Sequence, residues 1–316
     1  MADPVDYLAA WGLADAPHRL IAQRENRVYR VETGAGPVAL RLHRAGYRSR
    51  AELQSELDWM AVLARGGLPV PAPVPARDGR MCVEIDGIAG DVLSWIDGAP
   101  MGIDGRLAKL EDMPGTYRAL GAAMARLHDL SDAWQPPAGF SRPSWDADGL
   151  LGDAPLWGRF WDNPLLNPDQ RRLFSAVREV ARARLSDADL TADYGLIHAD
   201  LVPENVMLGP QGLTMIDFDD GGWGYRSFEL ATAANRTLRE DRSQVLIAAL
   251  LDGYASRREI APSELLLFQA LRGFTYVGWI VPRLDEPGVS QRVERVLSTA
   301  DRLARKFLQE DGGSRA

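Results

Sequence analysis

Asp200, Asn205 and Asp217 stand close together in the chain. They sit in His198-Ala199-Asp200-Leu201-Val202-Pro203-Glu204-Asn205 and, a little further on, Met215-Ile216-Asp217-Phe218-Asp219-Asp220. Apolar residues at 206–208 and 213–216 flank Gly209-Pro210-Gln211-Gly212, a hairpin signature that brings the loop before it near the strand end after it. Two carboxylates and an amide would then share a small volume. That set suits phosphoryl transfer, whose loose, highly charged transition state asks the protein mainly to position groups and neutralise charge. Asp200 has the place to accept the proton of an acceptor hydroxyl. Asn205 and Asp217 offer the hard oxygen ligands that Mg²⁺ prefers. The competing reading is a turn with scattered acids, since Asp and Asn are common in loops.

The order His198-x-Asp200, then Asn205, then Ile216-Asp217-Phe218 resembles the kinase signature of a catalytic loop followed by a metal-binding aspartate. It is most similar to the aminoglycoside phosphotransferase, choline kinase and type II homoserine kinase group. The resemblance implies a two-lobed, protein-kinase-like α+β fold. A small β-rich lobe over 1–96 would bind the nucleotide, and a larger helical lobe over 97–316 would carry catalysis and the acceptor. It implies ATP and Mg²⁺ as cofactors, Asp200 as catalytic base, and Asn205 and Asp217 as metal ligands. Bacterial stress-response Ser/Thr kinases resemble the same motifs, which makes a protein hydroxyl the alternative acceptor. A nucleotide-binding regulator that has lost its chemistry is a third reading, and the retained Asp200 speaks against it.

The elements that must position these groups begin with two strands. Residues 25–32 alternate apolar and polar, Gly34-Ala35-Gly36 turns the chain, and 37–43 returns. The kinase glycine loop is absent: Gln23-Arg24-Glu25-Asn26-Arg27 stands in its place. Lys109 and Lys306 are the only lysines, so Arg41 occupies the place of the third-strand lysine. The next helix starts at Ser49 as N-cap and stops at Gly66-Gly67. Its Leu53, Leu57, Met60 and Ala64 share a face, with Glu56 beside it. A carboxylate there is costly unless paired, and Arg41 is the natural partner, bracing a cation that grips phosphate bidentately. His18 and His43 read as surface residues, and residues 1–20 as a short amphipathic helix plus connector.

An extended proline-rich segment at 69–75 leads to a hairpin, 81–85 and 88–95, across Asp86-Gly87. Its second strand runs into Ile96-Asp97-Gly98, a hinge at which the resemblance assigns adenine contacts to backbone groups, with Ser94 and Ile96 as candidates. Helical spacing predicts 116–130, 169–187, 227–238, 241–257, 263–280 and 290–308. His128 lies on an apolar face and reads as a hydrogen-bonded core histidine. His198 reads as a support for its loop. Residues 131–168 hold Trp134, Trp145, Trp157 and Trp161 of the nine tryptophans, either an acceptor wall or anchors for an insertion. Glu229 stands where the resembling families have aspartate before Leu-Ala. Asp219 and Asp220 read first as a solvated acidic turn, with metal or acceptor binding as the other reading.

A formal net charge of -8 speaks against nucleic acid or an anionic membrane as main partner. It favours a small-molecule hydroxyl acceptor that bears an amine, toward which Asp148, Asp219 and Asp220 would add attraction. The absence of an Ala-Pro-Glu segment after Asp217 points the same way. The single cysteine, Cys82, excludes an internal disulfide and reads as a buried thiol. With neither a basic leader nor a membrane-length apolar run, the expected location is cytoplasmic. The oligomeric state has no signature.

Overall fold

The computed structural model describes residues 3–23, 26–186, 193–259 and 262–314. Its contacts group into two compact units. The first comprises 1–101, 129–142 and 204–219, and the second 102–128, 143–203 and 220–316. The first therefore takes in more than the contiguous 1–96 expected: the hairpin that carries Asp217 belongs to it.

In the first unit an antiparallel sheet has the order β1-β2-β3-β5-β4. Its strands are β1 (His18–Gln23), β2 (Arg27–Val31), β3 (Val38–Leu42), β4 (Cys82–Ile85) and β5 (Ile88–Ser94). Helix α1 (Pro4–Trp11) is capped by Asp3, and its Tyr7, Leu8 and Trp11 enter the core with Leu40, Leu42, Val83 and Val92. Two hydrogen bonds tether it: Tyr7 Oη to the Ile88 carbonyl at 2.9 Å and Trp11 Nε1 to the Val74 carbonyl at 2.8 Å. The β4–β5 turn has Asp86 and Gly87 at φ 51° and 74°, the left-handed pair that matches strand twist in a two-residue hairpin.

Helix α2 (Arg50–Arg65) begins at a reciprocal capping box between Ser49 and Glu52, which satisfies orphan N–H groups at its start. It buries Leu53, Glu56, Leu57 and Met60 on one flank. A second sheet, order β12-β11-β6, joins β11 (Val206–Gly209) and β12 (Gly212–Met215) to the short β6 (Ala99–Pro100).

The second unit is mainly helical. It holds a small hairpin, β7 (Gly102–Ile103) with β8 (Arg106–Leu107), and most of α3 (Met113–Asp132). The sheet β10-β13-β9 follows, from Tyr194–Ile197, Gly222–Tyr225 and Ser144–Trp145. The remaining helices are α4 (Ala147–Leu151), α5 (Pro168–Arg184), α6 (Arg226–Asn235), α7 (Ser243–Ala255), α8 (Pro262–Trp279) and α9 (Val289–Ser314). Helices α3 and α7 approach closely because each presents a glycine. A Cβ on Gly121 would lie 1.9 Å from the Leu250 carbonyl, and one on Gly253 equally close to the Arg118 carbonyl.

Two sequence expectations need correction. His18–Gln23 is an edge strand that begins inside 1–20, the segment read as helix and connector. All but its first residue are exposed, so it carries no inside–outside alternation to read. The helix expected at 169–187 ends at Arg184, and residue 187 lies outside the described residues.

Candidate active site

In the first unit the β11–β12 hairpin does what its sequence implies. Val206 pairs with Met215, and Ile216 N–H donates to the Asn205 carbonyl at 2.9 Å, so Asn205 and Asp217 flank the same hairpin end. Asn205 is nearly buried. Asp217 has φ 68°, a left-handed conformation that costs on the order of 1–3 kcal/mol for such residues and persists only where surroundings hold it. Part of that hold is Arg142, which sequence reasoning missed. Its guanidinium donates to the carbonyls of Phe218 and Asp219 at 2.8 and 2.7 Å and to Glu56 Oε2 at 3.3 Å.

Arg41 is buried and pairs with more than Glu56. It donates to Glu56 Oε1 at 2.9 Å, and bidentately to Asp91 through Nε at 2.9 Å and Nη2 at 3.0 Å. His43 Nε2 lies 2.5 Å from Asp91 Oδ2. The reading of His43 as a surface residue is therefore wrong: it is 7% exposed, drawn inward by a carboxylate across the sheet. Burial opposes the charged forms here, and opposite charges overcome it. Asp91 is lowered to about 2 by Arg41 and His43 against burial. Glu56 is lowered by Arg41 and Arg142, again against burial. His43 is raised, Asp91 outweighing desolvation.

Asp219 is also buried, which overturns its reading as a solvated turn. Asn26 Nδ2 donates to its Oδ2 at 2.7 Å, and Arg41 Nη1 stands 3.8 Å from its Oδ1. Oδ1 is buried and accepts no hydrogen bond. Burial and Glu56 raise the Asp219 pKa against the pull of Arg41, as befits a carboxylate short of positive charge. A buried acidic oxygen without a hydrogen-bond partner, two residues from Asp217, is the hard kind of ligand a divalent cation takes, as are the Asn205 amide and the Asp217 carboxylate at the hairpin end. Among the described residues no cluster of three or more acids, histidines or cysteines forms a self-sufficient metal cage. One or two carboxylates are what Mg²⁺ needs when substrate phosphates complete its shell. Of the turn expected to lie over the phosphates, 23–27, Arg24 and Glu25 lie outside the described residues.

Asp200 belongs to the second unit, on the loop after β10. Ala199 before it has φ 65°, and Glu229 from α6 holds that turn by accepting the N–H groups of His198 and Ala199. The other Glu229 oxygen lies 2.5 Å from His128 Nε2, whose Nδ1 meets Tyr254 Oη at 2.9 Å. Burial would raise the Glu229 pKa, but His128 and these hydrogen bonds lower it. Glutamate in place of the expected aspartate thus supports the loop. His128 is a core histidine with a partner at each nitrogen.

Arg272 on α8 was not singled out from the sequence. It is fully buried and donates to Asp200 Oδ1, to the Ala199 carbonyl at 3.3 Å and to Tyr276 Oη at 2.9 Å. Its guanidinium carbon lies 4.5 Å from the ring centres of both Trp157 and Tyr276. Its only sequence signal is a charge at a core position of an apolar helix. The tryptophan-rich segment therefore divides its labour: Trp145 and Trp161 are buried anchors, and half-buried Trp157 covers Arg272. The Asp200 side chain keeps 22% exposure, open to a proton donor. Ser94 exchanges two hydrogen bonds with Ala72, one through its hydroxyl and one through its N–H, leaving only its carbonyl at the expected hinge.

Two outcomes follow from this geometry. Arg272→Lys keeps the charge but loses the fork that holds Asp200, so steady-state kinetics should show kcat reduced by roughly tenfold or more, with nucleotide affinity within about threefold of wild type. Unaltered kcat would remove Arg272 from the site. The second concerns pH. Asp91 is depressed in the folded state, so its stabilisation is complete above about pH 4 and is lost as pH falls toward about 2, on the order of 2 kcal/mol. His43 is raised, so its contribution is complete below about pH 6.5 and is lost as pH rises through its folded value. Urea unfolding should show stability falling on both sides of that window, with the acid limb weakened in Asp91→Asn. An identical acid limb in the variant would contradict the assignment.

Comparison with known proteins identifies the family. Residues 18–266 match the phosphotransferase enzyme family. A microcompartment-associated aminopropanol kinase superposes with a TM-score of 0.84 at 30% identity, over 98% of each chain. An amicoumacin kinase solved with AMP-PNP and Ca²⁺ superposes at 0.74 and 20% identity, over 92% of this chain and 88% of that one. A homoserine kinase of Allorhizobium ampelinum is 28% identical over 82% of this chain and 77% of its own length. No helix among the described residues is long and apolar enough to cross a membrane. The chain belongs to the phosphotransferase enzyme family: it is a kinase with a protein-kinase-like fold and an alcohol group as acceptor.

Proposed function

We propose that this kinase transfers the γ-phosphoryl group of ATP, with Mg²⁺, to a hydroxyl of a small, amine-bearing molecule. The observation that carries the reading is the handling of Asp200. A partly exposed carboxylate sits on a strained turn, held by Glu229 through the backbone and by Arg272 through its own oxygen. A binding module has no use for a carboxylate so constrained.

In this reading Asp200 accepts the hydrogen bond of the acceptor hydroxyl, aligns its oxygen on phosphorus and takes its proton. Arg272 fixes the orientation of the Asp200 carboxylate for that contact. Positioning of this kind is what a loose transition state mainly asks of the protein. Arg41 meets the nucleotide phosphates with the N–H groups that Asp91 and Glu56 leave over. Asn205 and Asp217, with Asp219 as a further candidate, would hold the metal, which would supply charge neutralisation for the transferred phosphoryl group. Adenine would be met by the Ser94 carbonyl or the backbone of Ile96. Segments 1–96 and 97–316 then serve as nucleotide and acceptor lobes, with the 204–219 hairpin as the metal-bearing exception.

The acceptor class rests on the relatives. Those named for aminopropanol, homoserine and amicoumacin point to small molecules rather than a protein hydroxyl, and the first two of those compounds carry an amine. Asp219 no longer supports that choice, being engaged with Asn26. Asp200→Asn should lower kcat by about a hundredfold or more while ATP affinity stays within a few-fold, because the base acts on the acceptor. Coupled ADP-release kinetics with amino alcohols and hydroxy amino acids, paired with calorimetric ATP titration, check both halves. Wild-type turnover in the variant would end the assignment.

A further inference from the structure

Within the second unit a concavity of about 300 Å³ is lined by Arg239, Arg295, Ser298, Thr299 and Arg302. Arg239 closes the 3-10 turn Arg236–Arg239 that follows α6, and the other four lie on α9, where a spacing of three or four residues puts them on one face. In a chain of net charge -8, this gathers three guanidiniums around one hollow. None of Arg239, Arg295 and Arg302 pairs with a carboxylate among the described residues. Partial desolvation and the neighbouring charges of Arg236, Arg295 and Arg302 lower the Arg239 pKa, the mark of positive charges crowded together with too little negative charge between them. Such crowding is unfavourable unless an anion occupies the hollow, and two hydroxyls, Ser298 and Thr299, stand ready to donate to it.

Three side chains, Arg236, Tyr276 and Arg272, run from the neighbourhood of the hollow to Asp200. Arg236 lies with its guanidinium carbon 5.4 Å from the Tyr276 ring centre. Tyr276 accepts from Arg272, and Arg272 holds Asp200. Gly105, on the β7–β8 turn, lets both guanidiniums pack close: a Cβ there would sit 3.2 Å from Arg236 Nη1 and 3.6 Å from Arg239 Nη1. The cluster is therefore built onto the same wall of the second unit that carries the base.

We infer that this arginine hollow binds an anionic group, a carboxylate or a phosphate, carried by the acceptor molecule whose hydroxyl is presented to Asp200. The inference rests on the small-molecule kinase reading for the word acceptor, and adds that the acceptor is anionic at one end. Guanidinium forks suit both oxyanions, since each accepts two parallel N–H bonds. An amine on the same molecule is compatible, so hydroxy amino acids are the simplest class that satisfies both demands.

The test uses matched acceptors on the full-length enzyme. Homoserine against 3-aminopropan-1-ol, and threonine against 1-aminopropan-2-ol, differ only by a carboxylate; glycerol 3-phosphate against glycerol differs by a phosphate. Wild type should prefer the anionic member of at least one pair by roughly tenfold or more in kcat/KM, and which pair responds identifies the anion. In the double variant Arg239→Ala/Arg302→Ala, both exposed residues, that preference should fall by about tenfold. A second readout needs no turnover. With AMP-PNP and Mg²⁺ saturating, inorganic phosphate should raise the melting temperature of wild type and not of the double variant. A preference that survives the double substitution, or an equal phosphate effect in both proteins, overturns the inference. So does a wild type that shows neither preference nor stabilisation. Absence of turnover with every acceptor, with the phosphate effect intact, would instead sink the acceptor reading and leave the anion site standing.

Discussion

The first unit depends on burying two carboxylates that could not be buried alone. Glu56 and Asp91 are both essentially inaccessible, and an unpaired buried charge costs several kcal/mol. Arg41 touches both, Arg142 takes the second oxygen of Glu56, and His43 shares Oδ2 of Asp91 with Arg41. The cluster joins three elements at once: α2 through Glu56, the sheet through Arg41, His43 and Asp91, and segment 217–219 through Arg142. The backbone around Asp217 is thereby tied to the same helix carboxylate that orients Arg41. Its net contribution to stability need not be large, because desolvation offsets much of the attraction. What it supplies is geometry.

The second unit solves the same problem around a backbone turn. Glu229 is buried opposite His128, and its other oxygen accepts two successive N–H groups of the loop that carries Asp200. Arg272 is buried against aromatic faces and spends its fork on Asp200 and the carbonyl before it. In both units a strained residue, Ala199 or Asp217, lies beside a charged group that is itself held on several sides. Strain of this kind persists only where the surroundings over-determine it.

Much of this was legible in the sequence because it is local. The Gly-Pro-Gln-Gly turn between apolar runs announced the β11–β12 hairpin, Ser49 announced the start of α2, and Asp86-Gly87 announced its turn. Glu56 beside an apolar face implied a cation, and the family resemblance named Arg41. What escaped notice depends on contacts between distant residues. Asp91 reads as an ordinary strand polar residue until the pairing of Arg41 with Asp91 in the β3–β5 ladder sets them side by side. His43 and Arg142 become core residues only through partners 48 and 86 residues away. Strand β1 escaped because it is exposed along nearly all its length, and periodicity reports burial.

The account stands or falls on Arg41 as the cation that receives the nucleotide phosphates. Arg142 and His43 would still partner Glu56 and Asp91 in its absence, so substitution there can be read as a binding effect in protein that unfolds cooperatively. The decisive measurement is the calorimetric affinity for ATP with Mg²⁺ of wild type, Arg41→Lys and Arg41→Ala. Lysine, which keeps the charge without the fork, should bind within about tenfold of wild type, and alanine should bind about a hundredfold more weakly. Wild-type affinity in folded Arg41→Ala would contradict the account and move the phosphate-binding cation elsewhere, with Arg27 the next to test.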